Sequence, residues 1–364
     1  MLWLLLACAP GPDDRYLLRD PVVPAGDTAA SDGSDGSDGD TGDAPGPCPA
    51  TPHDPAVPPT AYAQYPVFIE GTDRRFVTIQ DGIWGAEDGD RVVVCPGRYD
   101  ENVDLKGKVI TLTSAGGPAR TVIDGGGRAS VVSLRNWEPP ETVVEGFTLT
   151  GGQGSEFHGG GVFVEWGSPT IRYNVIIGNQ AGIAGGVYVR NGGASVHNNL
   201  IVRNVADEGG GGMVCTACVG PFSYNTFFEN RSRQGHVGEY FWGSGDFIGN
   251  LMVAEDDETG FAFRVMDWRD ERPFVISHNL LWPDGFDWAG SFDADRWDAS
   301  EGEVRADPRF VDPASGDLSL QAGSPAVDAG PADAVDPDGS RADLGAFGGP
   351  SGAWPWDPTG AFGG

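Results

Sequence analysis

From about residue 63 the chain is built of short apolar runs, rich in Val, Ile and Phe and punctuated by Gly, Asn and Asp. Runs of that length read as strands, and long stretches with the apolar spacing of a helix are hard to find. The runs recur. Ile171-Arg172-Tyr173-Asn174-Val175 aligns with Val196-His197-Asn198-Asn199-Leu200, then with Phe222-Ser223-Tyr224-Asn225-Thr226, Phe247-Ile248-Gly249-Asn250-Leu251 and Ile276-Ser277-His278-Asn279-Leu280. The aligned asparagines, Asn174, Asn199, Asn225, Asn250 and Asn279, follow one another at nearly constant steps, and a second column, Asn179, Asn204 and Asn230, keeps the same steps. Between them come glycine-led runs, Gly160-Gly161-Val162-Phe163-Val164, Gly185-Gly186-Val187-Tyr188-Val189 and Gly211-Gly212-Met213-Val214-Cys215, which recur with that spacing again.

A period of roughly 25 with two or three strands per unit predicts a solenoid, in which each unit buries its apolar side only by stacking on its neighbours. Stacked about 4.8 Å apart, equivalent residues form columns. Ile171, Val196, Phe222, Phe247 and Ile276 make an apolar column, and the asparagines make ladders of side-chain amides. Glycine supplies the sharp corners. The sequence therefore predicts an all-β, right-handed parallel β-helix, the hand following from the handedness of crossover connections.

Composition changes this picture little but bounds the partners. The chain has 364 residues, 57 of them Gly and 28 Pro, with 23 basic against 53 acidic residues and a net charge of −30. Its only lysines are Lys106 and Lys108. Such a chain repels nucleic acid and anionic lipid headgroups. Residues 25–47 are a low-complexity run of Asp, Gly and Ser with nothing to bury, expected to be an extended, disordered spacer rather than a calcium-binding repeat. No apolar run is long enough to span a bilayer.

At the N-terminus, Leu5-Leu6-Ala7-Cys8 resembles the lipobox of bacterial lipoproteins, although no Lys or Arg precedes it and its apolar region is short. The resemblance implies lipidation at Cys8 and a membrane contact through that anchor alone. The expected organisation is a signal remnant at 1–7, a tether at 8–62, the β-helix at 63–312, a closing segment at 313–349 and a Gly/Pro/Trp tail at 350–364. The expected location is extracytoplasmic: anchored to the bacterial outer membrane or cell surface, or secreted.

Thr78-Ile79-Gln80-Asp81-Gly82-Ile83, Asp88-Gly89-Asp90-Arg91-Val92-Val93-Val94 and Pro96-Gly97-Arg98-Tyr99-Asp100-Glu101-Asn102 resemble the opening of the pectin-lyase-like superfamily. Asp307-Pro308-Arg309-Phe310-Val311-Asp312, Ser324-Pro325-Ala326-Val327-Asp328-Ala329-Gly330 and Asp336-Pro337-Asp338-Gly339-Ser340-Arg341 resemble the closing segment of bacterial surface proteins of that group. The resemblance covers residues 75 to about 349. It implies a short capping helix near 78–86 and a surface or secreted location, and it implies no single activity, because the superfamily mixes lyases, hydrolases, epimerases and adhesins.

Catalytic motifs are wanting. The Asn-Thr-Asp, Asp-Asp, Gly-His-Gly and Arg-x-Lys set of polygalacturonase-like hydrolases is not reproduced in order or content, and His158-Gly159-Gly160-Gly161 reads as a glycine-rich corner. Period-2 alternation points Val162, Val164, Val187, Val189, Met213 and Cys215 inward. On the opposite face it expects Phe163, Tyr188, Val214 and Tyr240, with Glu165, Arg190, Thr216, Trp242 and Arg264 beside them. Aromatic rings flanked by Arg and a carboxylate suit sugar rings, so Glu165, Tyr188, Arg190, Tyr240, Trp242 and Arg264 are the glycan-binding candidates. In that alignment Glu239 falls inward, and a slip by a single position would flip the column. The leading function is a binding or structural scaffold for a polysaccharide or a surface partner. The alternative is a polysaccharide lyase or related carbohydrate-active enzyme with Arg190 or Arg264 as base. A second aromatic group, Trp268, Trp282, Trp288 and Trp297, is expected to cover the C-terminal end of the solenoid.

Cys48, Cys95, Cys215 and Cys218 remain after lipidation, an even number with three connectivities. Proximity favours Cys215–Cys218 and Cys48–Cys95, with a buried thiol at Cys215 as the alternative. One Cys-x-x-Cys is weak ground for zinc. Asp336, Asp338 and Asp343 resemble half of a calcium loop without its closing Glu, so the one cofactor expectation is a weak structural Ca²⁺, against which stands an ordinary Asp-Pro-Asp-Gly turn.

Overall fold

The structure is a computed structural model in which residues 48, 65–154, 158–232, 236–241, 245–254, 261–266, 275–283, 287–291, 301–359 and 361 are described, those in 236–241, 261–266 and 287–291 by their backbone alone. Cys8 and the acidic stretch lie outside the described residues, as do Trp242, Trp268 and Trp297.

Three sheets of ten, nine and eight strands make up the body, with a three-stranded ribbon beside them. One coil runs from the first sheet (Thr170–Arg172) to the second (Val175–Ile177), through the ribbon (Gln180–Ala181) to the third (Val187–Arg190), then returns to the first as Ser195–His197. Pairing between coils is parallel and keeps the columns: Ile171 faces Val196, then Phe222, Phe247 and Ile276. This is the right-handed parallel β-helix that the sequence repeat predicts. The inward columns of all three sheets merge in one apolar core, which includes Ile176, Ile201, Phe227 and Met252 from the second sheet and Val162, Val187 and Met213 from the third. Each such fully buried side chain contributes roughly 1.5–3 kcal/mol.

The asparagine ladder follows from the corner between the first and second sheets. There Tyr173, Asn198, Tyr224, Gly249 and His278 adopt φ from 52° to 71°, which turns the chain and takes the next N–H out of the sheet ladder. The following asparagine restores the bonding. The Nδ2 of Asn174 donates to Oδ1 of Asn199 (3.2 Å), and the relay passes to Asn225 (3.0 Å), Asn250 (3.1 Å) and Asn279 (3.2 Å). The same oxygens accept the backbone N–H of the asparagine one coil earlier. All five are buried, so every one of these bonds replaces water that cannot enter. Asn179, Asn204 and Asn230 repeat the device at the next corner.

At the N-terminal end a short helix, α1 (Ile79–Gly85), closes the first coil. Thr78 caps it by accepting from the Asp81 N–H at 3.0 Å, and the Glu101 carboxylate accepts from the N–H groups of Ile79 (2.9 Å) and Gln80 (3.0 Å). Ile79 and Ile83 are buried beneath it. Cys48 is joined by a disulfide to Cys95, which is buried with Phe68 and Val93 on the first sheet.

The chain after the last strand of the second sheet (Val304–Arg305) forms a hairpin, Phe310–Asp312 with Asp317–Leu320, and then turns back along the outside of the second sheet. Phe310, Leu318, Ala326, Leu344 and Ala346 bury themselves against the outward column of Val175, Leu200, Leu251 and Leu280. Further on, Asn198 Nδ2 donates to the carbonyls of Ala346 (3.0 Å) and Gly348 (2.9 Å), and the Trp354 ring meets Tyr173 edge-on at 5.7 Å. Trp356 lies over Gly146 and Gly117, both at positive φ, where any Cβ would collide with it. The closing segment and the tail thus form one strap descending from the last coils toward the first. Of the tryptophans expected over the C-terminal end, Trp282 instead lines the outer cluster of the second sheet, and Trp288 sits in the last strand of the third sheet, Asp287–Ser291.

Candidate functional site

The third sheet turns its outer face away from the strap. Its rungs pair Phe163 with Tyr188 and Glu165 with Arg190, then Tyr188 with Val214 and Arg190 with Thr216. Alternation therefore aims these side chains outward, as the sequence suggests, but their fates differ. Phe163, Tyr188 and Val214 are buried, Tyr188 with 4% of its surface exposed, because Ile183 and Ala184 in the loop from the ribbon to the third sheet fold over them. Tyr188 thus offers no ring face to a sugar; its hydroxyl reaches Thr216 Oγ1 at 3.4 Å and its ring packs on Phe163 at 5.4 Å.

Two further expectations are corrected by register. Val214 pairs with Glu239 and Cys215 with Tyr240, so Tyr240 continues the inward column and Glu239 the outward one. Arg264 pairs with Glu239, in the row of Tyr188, whereas the row of Arg190 continues through Thr216 and Phe241 to Met266. The step from Val214 to Glu239 is the shorter of the two that separate neighbouring coils, and taking the longer one shifts the column. Arg264 is three rungs from Arg190, about 14 Å along the axis. Trp242 lies outside the described residues.

Glu165 and Arg190 are brought together, with a partner the sequence reading omits. The Glu165 carboxylate lies 3.5 Å from Arg190 and 3.6 Å from Arg135, one rung to either side. The Arg135 guanidinium also covers the Phe163 ring at 5.6 Å, and the His158 imidazole packs on the same ring at 4.8 Å. Burial holds the His158 imidazole below its ordinary pKa, and the two arginines add to this against Glu165, so it is the neutral base at pH 7. Arg190, the lyase-base candidate, is engaged in this ion pair with Glu165.

Where this face ends and the chain turns to the first sheet, Trp137 and Trp166 take φ of 65° and 63°. Their rings stack at 5.5 Å with an interplanar angle of 28°, and they are 70% and 46% exposed. A solvent-exposed pair of stacked indoles beside two guanidiniums, a carboxylate and an imidazole is an amphipathic platform: flat apolar faces with donors and acceptors at the edge. Both tryptophans escape the strand pattern because each follows the last residues of a strand rather than lying in it. A signal was present: Trp166, Asn191 and Ala217 recur with the period of the coils, all at positive φ.

The remaining candidates do not converge on this face. Cys215 and Cys218 are joined in a disulfide, so all four described cysteines are paired and none is a thiolate for zinc. Asp336 accepts from the N–H groups of Asp343 (3.0 Å) and Gly349 (2.6 Å), Asp338 from Ser340 (2.9 Å), and Asp343 from Asp328 (2.8 Å). These carboxylates fasten turns, and among the described residues no three potential ligands stand together as a metal-holding group.

No known family profile matches the chain, and no curated protein sequence matches it. Among solved structures it resembles a pectin methylesterase from carrot, with 14% identity over 64% of this chain and 79% of that one and a TM-score of 0.41. It also resembles a variant pectin methylesterase in complex with a hexasaccharide, with 12% identity over 64% of this chain and 85% of that one and a TM-score of 0.37.

Proposed function

We propose that the protein is a β-helical scaffold that recognises glycan chains on the platform formed by Trp137 and Trp166, with Arg135, Glu165 and Arg190 at its edge. The observation that carries this reading is the exposed, stacked tryptophan pair. Exposed indoles cost solvation without stabilising the fold, and their flat faces match the C–H faces of pyranose rings. Glu165 and the arginines present acceptors and donors for hydroxyls at the same edge. Lipidation at Cys8 and display through the acidic tether belong to the same proposal, and would hold the platform clear of the membrane.

The test is a glycan-array screen of the full chain with and without Ca²⁺, followed by titration of any hit. Binding that falls about tenfold in Trp137→Ala or Trp166→Ala and is indifferent to Ca²⁺ supports the reading. Binding that survives both substitutions overturns it. A rise in unsaturated-product absorbance that is lost in Arg190→Ala would make the protein a lyase instead.

A further inference from the structure

A concavity lies on the outside of the second sheet, where the closing hairpin meets its upper rungs. It has a volume of about 580 Å³, within the range of small-ligand sites. Aromatic rings form much of its wall. Phe228 and Phe310 meet edge to face at 5.7 Å, and Trp282 stands partly exposed beside them. The polar lining is placed by independent constraints. The Glu229 carboxylate is steadied by Arg203 Nε at 2.5 Å, and Asp307 accepts the Arg309 N–H at 2.8 Å through one oxygen. Arg309 Nη1 donates to the Gly323 carbonyl at 3.1 Å, and Gln321 Nε2 to the Phe310 carbonyl at 2.7 Å. These bonds fix the side chains and leave the second carboxylate oxygens and the Gln321 Oε1 as acceptors.

We propose that this cleft is a separate binding site for one neutral pyranose unit, seated with a ring face on Trp282 and its hydroxyls donating to Glu229, Asp307 and Gln321. The charges select against the alternatives. A cationic ligand would meet the Arg309 guanidinium, and Glu229 is already neutralised by Arg203. An anionic sugar would meet the Asp307 carboxylate in a chain of net charge −30. A neutral sugar brings donors to the acceptors and an apolar face to the indole, and leaves no buried charge unpaired.

The experiment is calorimetric titration of the full chain with methyl glycosides of neutral hexoses, with the methyl glycosides of a uronic acid and of an amino sugar as charged counterparts, and with a neutral oligosaccharide. The expected result is saturable binding of a neutral glycoside, at least about tenfold tighter than either charged counterpart. Trp282→Ala should weaken it about tenfold and Gln321→Ala about threefold, whereas Trp282→Tyr, which keeps a stacking face, should restore most of the affinity. Measured in a Trp137→Ala background, which removes the tryptophan platform, the effect of Trp282→Ala belongs to this site alone. The proposal is overturned if no neutral glycoside saturates, if a charged one binds as tightly, or if Trp282→Ala binds like the parent chain. Tighter binding of the oligosaccharide would identify the ligand as a chain end, and equal binding as a free sugar.

Discussion

At the corner between the first and second sheets, Tyr173, Asn198, Tyr224 and His278 hold positive φ; where the third sheet returns to the first, Trp137, Trp166, Asn191 and Ala217 do the same. Each such residue gives up roughly 1 kcal/mol to sterics. At the first corner the C-terminal strap covers the column. Trp354 packs on Tyr173, Asn198 binds two strap carbonyls, and Gly349 passes close against the Tyr224 ring. At the other corner the tryptophans stack on each other, and 70% of Trp137 faces water. One backbone geometry thus carries two side-chain outcomes. A corner covered by the chain itself serves stability, and a corner left bare is available to a partner.

The comparison breaks most severely if the strap is removed. A chain ending after Leu344 loses the half-buried Trp354 and Trp356 and leaves the Asn198 amide without its two acceptors. The expected cost is about 5 kcal/mol, from roughly 1.5–3 for each indole and 1–3 for the amide. Denaturant unfolding of the two chains reads this directly, and equal midpoints would mean that the strap does not pack on the corner in solution. Glycan binding at the bare corner should persist wherever the shortened chain is still folded.

Asn198→Ala makes a smaller cut at the same place. Two strap carbonyls lose their donor, and alanine is strained at φ 52°, for a combined loss of about 2–3 kcal/mol. Asn198→Gly removes the amide and relaxes the backbone strain, so the difference between the two variants isolates the cost of the left-handed corner, about 1 kcal/mol. If Ala and Gly melt together, the corner is not strained and the strap bonds carry the whole effect.

Both corners were only partly legible in the sequence, for physical reasons. The asparagine ladder and the inward columns announce themselves because stacking repeats each residue's environment once per coil, whereas the capping helix was implied by the resemblance of residues 78–102 to a known opening segment and not by the repeat. The strap is different. Asn198 and Ala346 are 148 residues apart, and nothing in the repeat predicts where a non-repeating segment docks. Its hint was the outward apolar column Val175, Leu200, Leu251 and Leu280, which an exposed sheet face would not carry. Tyr188 looked exposed because alternation gives direction and not cover; Ile183 and Ala184 supply the cover from a loop. Tyr240 and Arg264 were misplaced by a register slip in coils without the glycine pair that marks their neighbours.

At the bare corner the effect moves from stability to affinity. Trp137→Ala and Trp166→Ala should each change the unfolding free energy by no more than about 0.5 kcal/mol, since an exposed ring gives up little on folding. The same substitutions should weaken glycan binding about tenfold. A large loss of stability with unchanged binding would reverse the assignment of the two corners.

The smallest effect sharpens the comparison through pH. His197 lies on the outer row of the first sheet beside Arg172, opposite the Tyr173 ring at 6.3 Å. Burial holds its pKa below the ordinary value near 6.5, with Arg172 adding to the shift and the hydrogen bond with Asn198 Oδ1 at 2.9 Å opposing it. A histidine lowered in this way binds its proton less readily folded than unfolded. Its contribution is therefore complete above about pH 6.5 and is lost as pH falls through the folded value. Unfolding midpoints measured from about pH 7.5 to about pH 5.5 should decline, and His197→Gln should flatten that decline. Asp336 and Asp343, raised by burial, act with the opposite sign, gaining stability as pH falls. His158, at the bare corner, is lowered as well but is more open to water, so His158→Gln should remove less of the slope than His197→Gln. Equal effects of the two substitutions would mean that the strap leaves His197 as hydrated as its counterpart beside the tryptophans.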